Sequence, residues 1–223
     1  MKPAVLLLFL LTFTVKSYSQ AINCNDRQAL KASLKALHEN DQQMRLDLNQ
    51  KMQTLKMPQD SAILMPVVRK IRKQDTENQK YVSTLLDQCG WPDNLDLTEN
   101  STIFLVIDHG DVSYIKKYLP LIYQKMQQGV VQKSDYATIS DRLLMYEGKK
   151  QVYGTQTYRN QLSGLTTVWP VENAAQLDEQ RKAMSLTPMN EYIESLKAAY
   201  GKNVTWDKAL TVEEAQKTYR KSK

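Results

Sequence analysis

Two stripes of apolar residues, separated by a proline-containing segment, constrain the fold of this chain more than any other sequence feature. Within each stripe the apolar residues recur mainly at steps of three, four or seven, the spacing of one face of an α-helix. The segment Met57-Pro58-Gln59-Asp60 ends the first helix, and Asp60 can cap a second one. We therefore expect a long antiparallel helical hairpin over residues 25–89. The first stripe consists of Leu30, Leu34, Leu37, Met44, Leu48, Met52 and Leu55, and the second of Leu64, Val68, Ile71, Val82, Leu85 and Leu86.

One level of this hairpin is polar on both sides. If the helices fold back near position 58, residues at the same height have numbers that add up to about 116, and apolar residues then face each other along the seam. The same rule places Asp41 opposite Asp75 and His38 opposite Asn78. Facing carboxylates in a buried seam are costly unless they are hydrogen-bonded, protonated or bound to a cation. This level is a candidate functional site, and a solvent-filled notch or a polar layer that fixes the register explains it equally well.

The two cysteines of the chain lie at the open end of the same hairpin. Cys24 precedes the first helix and Cys89 ends the second, so the fold-back brings them close together. An isolated cysteine pair in an exported protein is typical of a disulfide, whereas a metal site or a catalytic thiol needs a second pair or a closer spacing. We expect a disulfide between Cys24 and Cys89.

The residues after the hairpin indicate further helices and one small β-hairpin. Only 7 Gly and 7 Pro occur among 223 residues, which favours long helices over many short strands. The apolar run 103–107 is expected to form a short buried helix that begins near Thr98, with a strand as the alternative, and the segments from Gln151 and from Leu165 to Trp169 indicate the β-hairpin. The expected fold is mainly α, with the long N-terminal antiparallel helical hairpin packed on a helical C-terminal half that carries one small β-hairpin. One domain would span residues 20–223, with the helical hairpin at 25–89, helices and the β-hairpin at 98–200, and a short terminal helix at 211–220.

The amino terminus predicts export. Residues 1–19 contain Lys2, an apolar run, and small residues at Ser17 and Ser19, which together are typical of a signal peptide cleaved before Gln20. We therefore expect a periplasmic or secreted protein without a membrane span in the mature chain. Removal of Lys2 and Lys16 lowers the formal net charge from +6 to +4, and no basic run is interleaved with aromatic residues, so a nucleic-acid partner is not expected.

The residues His109-Gly110-Asp111 follow directly on the buried run 103–107. An imidazole and a carboxylate that emerge from a rigid apolar segment are typical of a general base, and equally of a helix end with a capped histidine. The catalytic candidates are His109, Asp111, Asp41 and Asp75. Known nucleophile, nucleotide and zinc motifs are absent, so no cofactor is required and no metal ligands are assigned; carboxylates and carbonyls would suit Mg²⁺ or Ca²⁺.

The polar positions, taken in order, resemble a bacterial family of uncharacterised proteins with a Gly-x-x-Gln-x-Tyr-Gly-Thr-Gln signature. The signature reads here Gly148-Lys149-Lys150-Gln151 followed by Tyr153-Gly154-Thr155-Gln156. Two departures are Asp108 before His109, where an amide is expected, and Gly110 between His109 and Asp111. The family has no established activity, so the resemblance supports the choice of these polar residues but does not imply a type of reaction. With the signature, the matching positions are Asp41-Gln42 with Arg45, Asp75 with Asn78, Gly90-Trp91-Pro92, His109 with Asp111, and Asp141-Arg142.

Two functional hypotheses use these residues, and a third needs no function. A hydrolase-like enzyme would act with water on a small polar or envelope-derived substrate, and a binding module would hold a small polar ligand or a protein partner without chemistry. In a structural polar layer the same residues would only fix the register of the hairpin. The ligand-binding candidates are Arg45, Asn78, Asp141, Arg142, Gln151, Tyr153, Thr155 and Gln156.

Overall fold

Helices form most of this protein, and a small sheet completes it. The computed structural model describes residues 22–55, 61–160, 163–200 and 203–221. It confirms a mainly α fold with a small β element. The helices are α1 (Arg27–Thr54), α2 (Ser61–Cys89), α3 (Leu97–Asp108), α4 (Val112–Gln127), α5 (Lys133–Tyr146), α6 (Leu177–Ala183), α7 (Met189–Tyr200) and α8 (Val212–Lys221), and the strands are β1 (Thr157–Arg159), β2 (Thr166–Val168) and β3 (Val204–Thr205).

Helices α1 and α2 form the long hairpin that the two apolar stripes predict. Leu34 of α1 and both Val82 and Leu85 of α2 are fully buried at its open end. A disulfide joins Cys24 to Cys89 there, with a Cα–Cα distance of 5.4 Å, which confirms the predicted pairing. The predicted turn at residues 57–60 lies outside the described residues, as does the predicted signal peptide.

Helix α3 packs across both helices of the hairpin and forms the centre of the main core. Ile103 and Ile107 are fully buried, so the apolar run is the short buried helix that its sequence predicts. The helix begins with a capping box in which Asp96 and Glu99 bind each other's backbone N–H groups. Because this helix is rigid and buried, the residues that follow it have a fixed position relative to the hairpin.

The small sheet differs in part from the predicted β-hairpin. Strands β1 and β2 pair antiparallel, but β1 begins at Thr157 rather than near Gln151. The segment at Gln151 makes only one isolated bridge, to Val171, because it wraps around a buried side chain of α5 described below. Strand β3 pairs parallel with β2, Thr166 facing Val204, a long-range contact without a local sequence signal.

Helix α8 packs against β1 and the residue that follows β2. A capping box between Thr211 and Glu214 begins this helix, in agreement with the terminal helix predicted at 211–220. Ala215 is fully buried and belongs to a cluster with Tyr158 and Trp169. Throughout the part of the chain that the structure describes, each helix is too short or too polar to cross a bilayer.

Candidate functional site

The polar level of the hairpin is a cluster of charged side chains joined by an arginine. Arg45 lies one turn after Asp41 on α1, and its Nε is 3.1 Å from Asp41 Oδ2. The same guanidinium reaches across the seam to Asp75 of α2, where Nη2 is 2.5 Å from Oδ1. Asp41 is almost completely buried, with 5% of its side chain exposed. The facing carboxylates that the register predicts are therefore compensated by a cation of the protein itself.

His109 joins this cluster from the end of α3. Its Nδ1 is buried without a hydrogen-bond partner and lies 3.6 Å from Asp41 Oδ2, slightly beyond hydrogen-bond distance. Gly110 follows, and a Cβ at this position would lie 2.6 Å from the ring of Tyr114. This glycine therefore allows the Tyr114 ring to pack beside the imidazole-bearing turn, which gives a structural reason for its presence in the motif.

The two carboxyl groups of the cluster have different electrostatic environments. Burial raises the pKa of Asp41, but contacts with His109 and Arg45 outweigh burial and lower this pKa to about 2. Burial raises the pKa of Asp75, and the attraction of Arg45 does not fully offset this effect. Two carboxylates and one guanidinium leave one negative charge, which a proton on Asp75 would balance.

His109 also lines an open cleft of about 650 Å³. The imidazole is 18% exposed, so one side of the ring faces the charged cluster and another is accessible. The cleft lies among α2, the turn between α3 and α4, the end of α5, the residues after β2, and α8. The residues that line it are Arg72, His109, Gly110, Asp111, Val112, Met145, Tyr146, Trp169, Gln216 and Tyr219.

Asp41, Asp75 and His109 have the spacing of metal ligands. One oxygen or nitrogen atom from each lies within 4.8 Å of the others. The guanidinium of Arg45 already binds both carboxylates, however, so a divalent cation would have to displace a bound positive charge. The arrangement therefore fits a carboxylate–arginine pair that orients the imidazole, and it fits a metal centre less well.

Asn78 and Asp111 are near this region but have different environments. Asn78 is buried, its Oδ1 accepts a hydrogen bond from Gln74 Nε2, and its Nδ2 has no partner among the described residues. Asp111 is exposed and caps α4 by accepting the backbone N–H of Tyr114 at 2.8 Å. Its hydrogen bonds from Ser113 and Tyr114 lower its pKa. Of these two candidates, only Asp111 lines the cleft.

The signature segment wraps around Asp141, a fully buried residue of α5. Both carboxylate oxygens accept hydrogen bonds, from the backbone N–H groups of Val152, Tyr153 and Thr155 and from the Thr155 hydroxyl, at 2.8–3.2 Å. Burial raises the pKa of Asp141, and these hydrogen bonds oppose that shift. The carboxylate is thus used to hold the loop backbone in place.

The two glutamines of the signature are bound within the same loop. Gln151 donates to the carbonyl groups of Gln156 and Trp169 and accepts the backbone N–H of Gln156. Gln156 Nε2 donates to Thr138 O of α5. These residues do not line the cleft beside His109, and neither does Tyr153 or Thr155.

Arg142 extends from α5 towards the end of α3. Its Nε lies 2.9 Å from Asp108 Oδ1, but neither atom has hydrogen-bond geometry, so the contact is an ion pair without an aligned hydrogen bond. Asp108 therefore has a cationic partner. This pair is adjacent to His109 in sequence and separate from the lining of the cleft.

A model of one protein family matches residues 28–205 of this chain. The chain belongs to the DUF6624 family. This is a family of unknown function, and comparisons with curated proteins and with solved structures find no match. The DUF6624 match includes the charged cluster and the loop around Asp141, and it ends before α8. The parts of the cleft formed by α2, the turn between α3 and α4, the end of α5 and the residues after β2 therefore lie inside the DUF6624 match, whereas Gln216 and Tyr219 of α8 lie beyond it.

Several residues of this DUF6624 protein were not predicted to line a site. Arg72 belongs to a basic run that has the pattern of a solvated helix face, and Tyr146, Trp169, Gln216 and Tyr219 have no motif that links them. Arg181 is also buried, and it donates to the carbonyl groups of Tyr153 and Thr187. No local sequence pattern identifies it, because its role depends on the loop at Tyr153, which is 28 positions away in the chain.

Proposed function

We propose that the protein is a hydrolase-like enzyme that binds a small polar, envelope-derived substrate in the cleft beside His109. The observation that carries this proposal is the position of the imidazole between the buried carboxylate of Asp41, at 3.6 Å, and an open cleft. An oriented general base needs a carboxylate beside one ring nitrogen and accessible space beside the ring.

In this reaction His109 takes a proton from a water molecule that attacks the carbonyl carbon of an ester or amide. The imidazolium then gives this proton to the alcohol or amine that leaves when the bond between the carbonyl carbon and the leaving group breaks. The carboxylate of Asp41 favours the tautomer with hydrogen on Nδ1, which leaves Nε2 as the basic atom. Arg45 holds Asp41 in place through the guanidinium contacts and keeps it ionised. The contact between Nδ1 and Asp41 is expected to shorten when a ligand fills the cleft, as hydrogen bonds in unliganded active sites often do.

One observation favours a binding module as the second candidate. Among the residues that the structure describes, those that line the cleft include no serine, threonine or cysteine that could act as a nucleophile. They include three aromatic side chains, Arg72 and Gln216, which suit a ligand with a flat or apolar part and polar edges. Binding without turnover would use the same cleft and the same imidazole as a hydrogen-bonding group.

A comparison of the two histidines separates these candidates. The substitution His109→Gln keeps a polar side chain but removes the base, and His38→Gln is its matched control, because His38 contacts Thr102 and does not line the cleft. We would test peptidoglycan fragments and small esters and amides for hydrolysis and, by thermal shift, for binding. Loss of turnover only in His109→Gln supports the enzyme. Binding without turnover by the wild-type protein supports the module, and equal behaviour of all three proteins contradicts a role of His109.

A further inference from the structure

The hairpin continues beyond the charged cluster as a two-helix arm, which we define as residues 42–55 of α1 and 61–74 of α2. The main core contains Leu37 and Val82 on the near side of the cluster and no residue of the arm. Within the arm the described buried apolar residues are Leu64 and Ile71, which lie on the seam between the two helices. The arm extends for about 20 Å, given the rise of an α-helix.

Large apolar side chains are exposed near the far end of the arm. The exposed fraction is 39% for Met52, 56% for Ile63 and 44% for Met65, and Leu46 is exposed further back. Ile63 and Met65 are two positions apart and therefore project from opposite sides of α2. An apolar surface that faces several directions is better covered by immersion in an apolar medium than by docking on one face of a protein.

Cationic side chains lie directly behind this apolar end. The described residues 61–74 contain Arg69, Lys70, Arg72 and Lys73 and no acidic residue. Only Lys73 has an ion pair with another described residue, at 4.0 Å from Glu77 of the same helix. The four cations follow Ile63 and Met65 by four to ten residues, which corresponds to about 6–15 Å along the helix.

We propose that the arm binds an anionic phospholipid surface. Its apolar end inserts Met52, Ile63 and Met65 into the boundary between headgroups and acyl chains, which is about 5–10 Å deep. The four cations are then at the height of the lipid phosphates, where basic residues near an anionic leaflet contribute to binding. This role shares Arg72 with the cleft but does not rest on the function proposed for the cleft, and it would hold the cleft near envelope material.

The test is flotation of the exported protein with vesicles of phosphatidylcholine alone or with 30% phosphatidylglycerol. We expect binding to the anionic vesicles, weaker binding at 0.5 M salt, and little binding to the neutral ones. The variants Ile63→Ser/Met65→Ser and Arg69→Gln/Lys70→Gln should each bind at least about tenfold more weakly. The wild type and all variants have the same amino terminus, so residues 1–19, where they are retained, contribute equally to vesicle binding by each protein.

Matched controls come from exposed residues outside the arm. Leu97 is 79% exposed on α3, so Leu97→Ser removes an apolar side chain that is more exposed than Ile63 or Met65. Lys80→Gln/Lys182→Gln removes two exposed charges elsewhere, and both controls should bind as the wild type does. Circular dichroism checks that every variant is folded. The proposal is overturned if anionic vesicles do not bind, if controls and arm variants lose binding equally, or if polyglutamate binds the arm and vesicles do not.

Discussion

Two carboxyl groups of this protein have pKa values shifted in opposite directions, because the groups that contact them differ. Asp41 is buried, but contacts with His109 and Arg45 outweigh burial and lower its pKa to about 2. Burial together with the charge of Asp108 raises the pKa of Asp135 on α5 to about 6. A group whose pKa is raised in the folded state stabilises the protein below its unfolded pKa, and this contribution is lost as the pH rises through the folded value.

The substitution Asp135→Asn is therefore expected to stabilise the protein at pH 8. At pH 8 the wild type has an ionised carboxylate in a half-buried position, which is unfavourable. The neutral amide of asparagine avoids this burial of charge. Asp135 lies in the first turn of α5, where the helix dipole favours a negative charge, so the gain in unfolding free energy should be only about 1–2 kcal/mol. Urea unfolding at pH 8 and pH 4 measures it. Equal gains at both pH values would contradict the assigned cause.

At the scale of elements, buried polar side chains fix segments that the sheet and the helices leave free. The loop 151–156 has little regular structure, yet Asp141, Gln151 and Arg181 bind its backbone groups, and the Gln156 side chain joins it to Thr138 of α5. Buried backbone groups without partners are costly, so these side chains replace the hydrogen bonds that a strand would supply. We infer that these side chains serve mainly to maintain this loop.

The substitution Asp141→Ala should lower the free energy of unfolding by about 2–4 kcal/mol. It leaves three backbone N–H groups of the loop without their acceptor, and each loss is costly in a buried position. Asp141→Asn should cost less, because one oxygen remains as an acceptor. Denaturant unfolding compares the two variants, and an Asp141→Ala protein as stable as the wild type would show that water replaces the carboxylate.

The disulfide stabilises the helical hairpin as a whole. Cys24 and Cys89 are 65 positions apart, and closing a loop of this length contributes about 4 kcal/mol in the chain-entropy model. The double substitution Cys24→Ser/Cys89→Ser should lower the unfolding free energy by about that amount, and reduction of the wild type should lower it equally. If a reducing agent changes the stability of the double variant as well, the loss has another origin.

At the scale of the whole molecule, the parts serve different purposes. The core of α3 and the open end of the hairpin provides a rigid base, the cleft lies at one side of it, and the arm extends from it with an apolar end. The disulfide agrees with the oxidising compartment that the amino-terminal sequence predicts. The location of the protein itself remains a prediction.

We expect the exported protein to begin at Gln20. Ser17 and Ser19 supply the small residues that precede a signal-peptide cleavage site, and Lys2 supplies the positive start. Intact-mass analysis of the protein from the periplasm or medium identifies the first residue. Recovery of the chain only in the membrane fraction, with Met1 still attached, would contradict export as a soluble protein.

The part of the site that could be predicted from the sequence rests on local periodicity. The two stripes predict the hairpin, and its antiparallel geometry alone brings Asp41 near Asp75 and Cys24 near Cys89. The capping boxes and the buried run of α3 are likewise local signals, because a helix depends on residues three and four positions apart. Arg45 as the cation between the carboxylates was not apparent, because its direction depends on side-chain packing.

The sequence by itself determined the helical hairpin, its disulfide and the polar level within it, since each of these follows from spacing along one or two helices. Only the tertiary structure decided that His109 reaches Asp41, that Trp169 and Tyr219 share a cleft with it, and that Asp141 holds the signature loop. These contacts join segments far apart in the chain. Their geometry depends on how helices and loops pack in three dimensions, which no repeating pattern of residues encodes.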